Sequence, residues 1–485
     1  MRLVLALLLA AVVILPPEGG SHLTAAGGSH LTAAGGSRLT AAPKRAAPGA
    51  VTFSDQVAPI LYANCVTCHR PGQAAPFALI SYEDAKKRGN QIVKVTASRF
   101  MPPWHAAHGY GEFKDERRLS DEQIATLAEW VKRGMPEGDP SHLPALPSFP
   151  EGWHLGTPDL VLTMPAAYEL PASGPDEFRN FVIPTKLAED KWVRAIEFHP
   201  GARKAVHHVL FAYDATGAAS RRDGRDGRPG FGGMGTAGVG GVQGGTGPLG
   251  GWAVGATPVF LPEGVALPLP KGSDIVLQMH FHLTGKAETE QSTIGIYFAD
   301  KAPERRVWSL QIPALFGFGA GLDIPAGKKD YTVEDSFTTP VDLTAFIVGA
   351  HAHYIAKEMK ATATLPDGST RPLLWIQDWD FNWQDRYTYK TPVALPKGTR
   401  IDVKLVYDNS ADNPRNPANP PKPVWWGEQS FDEMGSVNLA VQCQRAEDEP
   451  VLQRAFAERT RAAIGRATEN GTLKRFMEQR GRAGG

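Results

Sequence analysis

The sequence predicts a multi-domain protein, in which a small all-α domain precedes a long antiparallel β region. The chain of 485 residues is long enough for several domains. Over residues 51–140, apolar residues recur three and four positions apart, which is typical of amphipathic helices. From about Leu160 to Cys443 they alternate with polar residues instead, among β-branched residues and Asp-Gly turns, as in antiparallel strands.

Two segments carry the helical signal within residues 51–140. The first is TFSDQVAPILYANC, whose apolar residues keep the helical spacing. The second is LSDEQIATLAEWVKRG, in which Ser120 is a typical N-cap and Gly134 marks the end of the helix. One or two basic amphipathic helices are also expected over the C-terminal tail, residues 447–485.

The N-terminus predicts export. In residues 1–18, Arg2 precedes an apolar run from Leu3 to Leu15, which is shorter than the ~20 residues that span a bilayer. No clear cleavage site follows, so both a cleaved signal peptide and an uncleaved anchor fit. Residues 19–50 contain the unit GGSHLTAA three times, once with Arg in place of His, and are expected to be a flexible linker. The protein is therefore expected in the periplasm or outside the cell, with no membrane span beyond this N-terminal segment.

The composition argues against nucleic-acid binding and against a disulfide framework. The 51 Lys and Arg residues balance 51 Asp and Glu residues, and no basic stripe stands out. Only three cysteines are present, Cys65, Cys68 and Cys443. Because the first two belong to the motif described next, Cys443 is expected to be unpaired and the fold to be held by packing alone.

Cys65, Cys68 and His69 form a C-x-x-C-H motif, which is typical of a covalently attached haem c. One helical turn presents the two thiols to the two vinyl groups of the haem, and the next residue places an imidazole under the iron. A redox dithiol or half of a zinc site would also use C-x-x-C. The adjacent histidine, the predicted export and the absence of a second C-x-x-C favour haem.

The sixth ligand of the haem iron is expected to be a methionine, which raises the haem potential. Met101 and Met135 are the candidates, while His105 and His108 are alternatives that would give a bis-histidine haem of lower potential. The segment resembles a small class I cytochrome c, in which the methionine loop precedes the last helix. This resemblance favours Met101, because it lies before the last predicted helix and Met135 lies after it.

Six histidines lie on predicted strands in three pairs: His207–His208, His280–His282 and His351–His353. The last two pairs have H-x-H spacing, which puts both imidazoles on one face of a strand. The adjacent pair His207–His208 would point to opposite faces of a regular strand. Both rings can reach one metal only if the strand twists or bulges there, or if they approach through different rotamers.

Met434, in the sequence FDEMGS, adds a thioether just before another apolar strand. Imidazoles alone suit zinc or copper, but a thioether beside two imidazoles favours copper, because soft sulfur holds Cu(I). Two coppers and a haem indicate electron chemistry rather than hydrolysis.

The order of these residues resembles that of the copper type II, ascorbate-dependent monooxygenases, the family of peptidylglycine hydroxylase and dopamine β-monooxygenase. In that family an HH pair is followed by a single histidine in an H-[YF] strand, then by H-x-H and by a methionine after an acidic residue. Roughly residues 158–445 carry the same order here: His207-His208, His280, His351-x-His353 and Met434.

The resemblance implies two successive antiparallel, jelly-roll-like β-sandwich domains, each with one copper, facing each other across a solvent-filled cleft. The first would span residues 158–310 and the second residues 311–446. Within the first, residues 215–256 are a glycine-rich insertion, expected to be a long surface loop.

The resemblance also implies a role for each ligand set. The electron-storing copper would be held by His207, His208 and His280, with His282 as the alternative to His280. The copper that activates dioxygen, at the catalytic site, would be held by His351, His353 and Met434. The reaction would be R–H + O2 + two electrons + two protons → R–OH + water.

By this resemblance the protein is a copper-dependent monooxygenase with two copper ions and one covalently attached haem c. Its partners would be a small-molecule substrate, O2 and an external electron donor, either an ascorbate-like reductant or a redox protein, from which the haem relays electrons. One alternative is a non-catalytic periplasmic copper and haem protein for electron transfer or sensing. The other is a zinc-loaded binding or hydrolytic module, for which no Glu or Asp beside the histidines is an obvious base.

Overall fold

The computed structural model describes residues 51–73, 75–149, 152–174, 177–232, 246–253, 256, 258–427 and 429–483. The predicted export signal (1–18) and repeat linker (19–50) lie outside these ranges. The described chain separates into two compact units. One comprises residues 51–102 and 118–149. The other comprises residues 103–117 and the chain from residue 152 onward.

The first unit is helical, as the apolar spacing predicts. A π-helical turn (Phe53–Val57) leads directly into α1 (Ala58–Asn64), and α2 (Tyr82–Ala97) and α3 (Asp121–Lys132) follow. A short 3-10 turn lies at Pro140–His142.

The two longer helices of this unit both begin at a serine cap, of which Ser120 is the predicted one and Ser81 is not predicted. Ser81 and Ser120 each accept a hydrogen bond from the third residue of their helix, whose side chain bonds back to the serine N–H. Leu61, Leu127 and Trp130 are completely buried in the core of the unit. The helices therefore bury one apolar face each, as amphipathic spacing requires.

The other unit is built from antiparallel sheets, beginning with a first sandwich. Its described strands are β1 (Leu160–Thr163), β2 (Tyr168–Leu170), β3 (Glu177–Pro184), β4 (Lys191–His199), β5 (Val206–Asp214), β6 (Phe231–Gly232), β7 (Thr246–Ala253), β8 (Leu267–Leu269), β9 (Asp274–Phe281), β10 (Glu288–Glu290) and β11 (Thr293–Phe298). The two main sheets have the strand orders β1-β11-β4-β8 and β6-β3-β9-β5-β7. Phe198 and Ile296 of the first sheet share a buried core with Phe211 and Leu277 of the second.

The second sandwich repeats this architecture. Its described strands are β12 (Val307–Ile312), β13 (Asp323–Ile324), β14 (Tyr331–Thr338), β15 (Leu343–Ala352), β16 (Ala356–Thr364), β17 (Thr370–Ile376), β18 (Arg386–Leu395), β19 (Arg400–Tyr407), β20 (Val424–Trp425) and β21 (Gly435–Cys443). The sheets have the orders β12-β21-β15-β18 and β14-β19-β16-β17. Cys443 is a free, buried cysteine at the end of β21.

The boundary between the sandwiches lies earlier than the resemblance implies. The predicted division at residues 310 and 311 falls inside β12, which pairs along its whole length with β21. The second sandwich therefore begins at Val307. A break within one apolar strand has no sequence signal, since both halves of the strand alternate in the same way.

The glycine-rich insertion, residues 215–256, is only partly a loop. Within it, β6 pairs with β3, and β7 pairs with β5 as the edge of the five-stranded sheet. The expectation of a surface loop over this whole stretch is therefore wrong. Glycine lowers strand propensity, but the neighbouring strand supplies the hydrogen-bond partners that hold β7 in place.

Residues 103–117, named the strap here, lie between α2 and α3 in sequence but pack on the second sandwich. Ala106 bridges to Ile376 of β17, and Phe113 bridges to Tyr389 of β18. Because β17 and β18 are the edge strands of the two sheets, the strap covers an edge of each. The predicted domain of residues 51–140 is thus interrupted by a segment that belongs to the β unit.

The C-terminal tail forms two helices, α4 (Glu449–Glu469) and α5 (Thr472–Ala483), as expected. Leu452, Ala467 and Phe476 of these helices belong to the buried core of the second sandwich. The tail is therefore a packing element of that sandwich. Among the described residues, none of the helices combines the length and apolar composition needed to cross a membrane.

Candidate metal centres

The adjacent histidines of the first sandwich lie on a β-bulge. In the pairing of β5 with β9, Val206 lies opposite Phe281, and His208 lies opposite His280, so the register shifts across His207. A bulge places two residues of one strand opposite one residue of its partner and bends the strand. This local geometry lets neighbouring side chains turn to the same side, which a regular strand would prevent.

His207, His208 and His280 form one cluster as a result. Each offers a ligand nitrogen, and these three atoms lie within 4.8 Å of one another. The ring centroids are 4.8 to 5.3 Å apart. On its other side, the His280 ring stacks on Phe178, its cross-strand neighbour on β3, with a centroid distance of 4.2 Å. His282, the alternative ligand, is exposed and does not belong to this cluster.

The first cluster fits a metal ion in geometry and in protonation. The Nδ1 atoms of His207 and His208 are 3.1 Å apart. Two nitrogens bound to one ion at about 2.0–2.1 Å would be this far apart if the angle at the ion were about 100°. Burial lowers the pKa of His208 well below its usual range, and His280, His207 and His351 lower it further. A neutral imidazole keeps the lone pair that a metal requires.

The second cluster is formed by His351 and His353 at the end of β15, with ring centroids 5.3 Å apart. His353 Nδ1 lies 3.2 Å from the Asp432 carbonyl oxygen, which can only accept, so this nitrogen donates. His351 Nδ1 lies 2.7 Å from Gln384 Oε1. Gln384 Nε2 donates to the Phe381 carbonyl, so the amide orientation makes Oε1 the acceptor toward His351.

Both Nδ1 atoms of this cluster are therefore donors, and both Nε2 atoms keep their lone pairs. This is the arrangement of metal-ligating histidines, whose second nitrogen is held by a carbonyl or carboxylate. Burial, with the neighbouring His351, lowers the pKa of His353 to about 3. Burial also lowers the pKa of His351. Both imidazoles are thus neutral over the physiological range.

Met434 lies beside His353 at the ends of two paired strands. Ala352 of β15 pairs with Gly435 of β21, so the next residues along the register are His353 and Met434. Both of these side chains are buried, at 1% and 7% exposure. The sequence-predicted set of two imidazoles and one thioether is therefore brought to one end of this sheet.

Glu433 ties the two strand ends together. Its buried carboxylate accepts backbone N–H bonds from His353 at 2.5 Å, Met434 at 2.9 Å and Ile355 at 3.2 Å. Burial raises the pKa of Glu433 to about 8, although these three bonds oppose the rise. The carboxylate thereby fixes the backbone on which His353 and Met434 stand.

Glu433 and Gln384 are functional candidates that the sequence reasoning missed. Glu433 stands directly before Met434, so its acidic side chain is visible in the sequence, but its bonding to residue 353 is not. Gln384 is 33 residues from His351 and becomes its neighbour only through the pairing of β15 with β18. No periodicity marks either residue.

In the helical unit, Cys65, Cys68 and His69 lie just after α1. His69 Nδ1 donates to the Phe77 carbonyl at 3.1 Å, which again leaves Nε2 with its lone pair. Burial lowers the pKa of His69. Burial raises the pKa of the Cys65 thiol to about 12, and a thiol with that pKa is poorly suited to thiol–disulfide exchange.

The two candidate methionines occupy different surroundings in this unit. Met101 follows α2, and its N–H donates to the Val95 carbonyl at 3.0 Å. Met135 packs against the hydrophobic core near Gly89, where an added Cβ would lie 2.5 Å from the Met135 sulfur. The alternative His105 lies on the strap, outside this unit, and so does the exposed His108, whose ring bonds Glu116.

Comparisons with known proteins assign the chain to no family. The chain matches no protein-family model, and no curated protein matches it. Among solved structures, infectious bursal disease virus (Gx strain) is 12% identical with a TM-score of 0.17, covering 59% of this chain and 71% of that one. The major capsid protein P2 from bacteriophage PM2 is 8% identical with a TM-score of 0.22, covering 56% and 97%. PNGF-II is 11% identical with a TM-score of 0.23, covering 59% and 66%. Similarity this low carries no argument for function.

Proposed function

We propose that the protein is an exported copper-dependent monooxygenase that hydroxylates a C–H bond of a small organic substrate with O2. Two coppers and a covalently attached haem c are its cofactors. The observation that carries the proposal is the presence of two different donor sets on two sandwiches of one unit. The first is His207, His208 and His280, and the second is His351, His353 and Met434. The fold proposed with this function is a small cytochrome c domain followed by two jelly-roll-like copper domains, as in the copper type II, ascorbate-dependent monooxygenases.

The difference between the two donor sets supports different roles. Three imidazoles suit an ion that stores an electron, whereas a thioether stabilises the reduced state of copper, which dioxygen requires. Bound copper would supply the one-electron chemistry at both positions. The protein's own residues keep the ligand imidazoles neutral by burial. Gln384, Asp432 and Glu433 orient the ligands of the second cluster, and one compact unit carries both clusters.

The haem is proposed to bind through Cys65, Cys68 and His69, with Met101 as the sixth ligand. The free lone pair of His69 Nε2 and the high pKa of Cys65 support haem attachment over a redox dithiol. An external donor, either an ascorbate-like reductant or a redox protein, would reduce this haem.

The first test is quantification of copper and haem in the purified full-length protein, together with O2 consumption over a set of candidate substrates. We expect two coppers and one haem per chain and substrate-dependent O2 uptake. Copper and a reducible haem without such uptake would instead indicate an electron-transfer or sensing protein. Zinc without copper would indicate that the β unit is a zinc-loaded binding or hydrolytic module.

The most direct test of the proposed oxygen site is Met434→Ile, which removes the thioether but keeps an apolar side chain of similar size. We expect substrate-dependent O2 uptake to be lost while the haem spectrum is unchanged. Met359→Ile is the matched control, because Met359 is completely buried in the core of the same sandwich, on β16. Unaltered turnover in Met434→Ile would remove the proposed oxygen site.

A further inference from the structure

Two candidate ligands of the second sandwich, His353 and Met434, stand just beyond the ends of their strands. The pairing of β15 with β21 ends at Ala352 and Gly435, and each ligand lies one residue past that last pair. Inside a sheet, a neighbouring strand supplies the hydrogen bonds of the backbone, but past the end of the pairing other groups must supply them. The backbone that carries this imidazole and this thioether is therefore fixed by something other than strand pairing.

Buried side chains hold all four backbone polar groups of these two residues. The Glu433 carboxylate accepts both N–H groups. The Trp379 indole Nε1 donates to the His353 carbonyl at 2.9 Å. The Tyr407 hydroxyl donates to the Met434 carbonyl at 3.1 Å. Trp379 and Tyr407 are 1% and 0% exposed, so water does not compete for these carbonyls.

Tyr407 reaches Met434 from the opposite sheet of the sandwich. It is the last residue of β19, whereas Gly435, the residue after Met434, is the first of β21 in the other sheet. A Cβ added at Gly435 would collide with the Tyr407 hydroxyl oxygen. Glycine at this position therefore makes room for the hydroxyl to reach the carbonyl.

A second buried tyrosine of this sandwich makes the same kind of bond away from the candidate ligands. The Tyr389 hydroxyl, on β18, donates to the Leu373 carbonyl at 3.0 Å, and Tyr389 is 3% exposed. Such a bond is therefore not specific to a metal centre. What distinguishes Tyr407 is that its carbonyl belongs to Met434, so the two tyrosines form a matched pair for an experiment.

We propose that Tyr407 is a positioning residue for the Met434 thioether. This inference rests on the proposed function and deepens it at the same site. Glu433 holds the N–H of Met434 and Tyr407 holds its carbonyl, so the backbone is fixed on both sides of the ligand. Methionine is an unbranched, flexible side chain, and fixing its backbone reduces the freedom that is lost when the sulfur binds an ion. Because soft sulfur favours Cu(I), the effect falls mainly on the reduced ion.

The test is Tyr407→Phe in the full-length protein, which removes the hydroxyl and keeps the ring. Competition with chelators of known affinity measures Cu(I) and Cu(II) separately, and the site is identified as the one whose Cu(I) affinity falls in Met434→Ile. We expect Cu(I) to bind about tenfold more weakly at this site, with Cu(II) affinity unchanged. That difference lowers the reduction potential of this copper by about 59 mV.

Tyr389→Phe is the matched control, because it deletes an equivalent buried hydroxyl from the same sandwich. It should lower the free energy of unfolding as Tyr407→Phe does, while Cu(I) affinity and the reduction potential stay as in wild type. The proposal is overturned if Tyr407→Phe binds Cu(I) like wild type, if it weakens Cu(I) and Cu(II) equally, or if Tyr389→Phe weakens Cu(I) as much.

A measurement on the copper-free protein separates this inference from the proposed function. Exchange of the Met434 amide hydrogen, followed by NMR, should accelerate about tenfold in Tyr407→Phe, the scale of one hydrogen bond, and stay unchanged in Tyr389→Phe. Unchanged exchange in Tyr407→Phe would overturn the positioning role even if the protein binds copper. Accelerated exchange in a protein that binds no copper would retain Tyr407 as the residue that fixes Met434 and remove the monooxygenase proposal.

Discussion

At the scale of single residues, the candidate histidine ligands differ in the hydrogen bond that their Nδ1 atom makes. His69, His351 and His353 each use Nδ1 as a donor to a carbonyl-type oxygen, which leaves Nε2 for an ion. The first cluster differs, because the Nδ1 atoms of His207 and His208 face each other. The ligand atoms of the two clusters are therefore expected to differ, with Nε2 in the second and Nδ1 of His207 and His208 in the first.

Gln384→Ala tests this orienting role at the second cluster. Without the amide oxygen, the His351 ring loses the acceptor that fixes its tautomer and direction, so copper should bind about 10- to 100-fold more weakly at this site. Competition with a chelator of known affinity measures the change. Gln384→Glu should retain most of the affinity, because a carboxylate oxygen can accept the same bond.

Gln377→Ala is the control for this prediction, since Gln377 is exposed in the segment just before Gln384. Equal copper affinity in Gln384→Ala and wild type would show that His351 needs no orienting partner. A loss of the same size in Gln377→Ala would point to a general effect on the segment instead.

At this scale the sequence predicts the candidate metal ligands but not the residues that orient them. H-x-H spacing on an alternating strand places His351 and His353 on one face without any tertiary information. The adjacent pair required a bulge, and the register shift across His207 is that bulge. By contrast, Gln384 and Glu433 meet His351 and His353 only through strand pairing, which single-strand periodicity does not encode.

At the scale of elements, the strap is the least expected feature. Its Lys114 N–H donates to the Thr388 carbonyl at 2.8 Å, and the Lys390 N–H donates to the Glu112 carbonyl at 2.9 Å. The Phe113 ring stacks on Tyr389 with a centroid distance of 5.3 Å. Through these contacts the strap holds β18, the strand that begins at Arg386 and follows Gln384.

Phe113→Ala should release the strap from β18. Phe113 is 2% exposed, and removing such a ring costs about 3–5 kcal/mol. If the strap then opens locally, exchange of the Lys390 amide hydrogen should accelerate by about 100-fold or more, because that amide bonds Glu112. Hydrogen exchange followed by mass spectrometry or NMR measures it.

The control for the strap is Phe100→Ala, at a phenylalanine that is 47% exposed and lies just before the strap in sequence. Its Lys390 amide should exchange as in wild type. If Phe113→Ala also left this exchange unchanged, the strap would contribute little to holding β18.

Sequence patterns located most elements but assigned two of them to the wrong environment. The strap lies within a helical region and carries Trp104 and Phe113, so its composition fits a buried loop of the helical unit equally well. The strand β7 lies in a glycine-rich stretch and has almost no strand propensity of its own. The environment of both elements is determined by partners more than 30 residues away in sequence, which local patterns do not reveal.

At the scale of the whole molecule, one chain carries the proposed haem motif and both histidine clusters. Hydroxylation of one C–H bond consumes two electrons, while a haem delivers one at a time. Covalent linkage of donor and acceptor replaces a bimolecular encounter by an intramolecular one, which raises the effective concentration of the donor. This arrangement predicts that the haem, not a diffusing reductant, normally reduces the copper at His207, His208 and His280.

The double variant Cys65→Ala/Cys68→Ala tests that prediction, because it removes both proposed attachment points of the haem and leaves the proposed copper ligands in place. We expect copper content like that of wild type and a near-complete loss of steady-state turnover with a donor that reduces the haem. When the copper is reduced beforehand and mixed rapidly with O2 and substrate, the variant should still form product in a single turnover. Ascorbate, a small reductant able to reach the copper directly, should restore part of the steady-state rate.

These three measurements separate electron delivery from every other consequence of the substitutions. A variant that misfolds would lose copper and the single turnover together, whereas a variant that lacks only its relay would lose steady-state turnover alone. If it turned over as fast as wild type with the haem-reducing donor while its copper was intact, electrons would enter the β unit directly. The haem would then be a separate redox site on the same chain, and the two histidine clusters would still have to be supplied with electrons from outside.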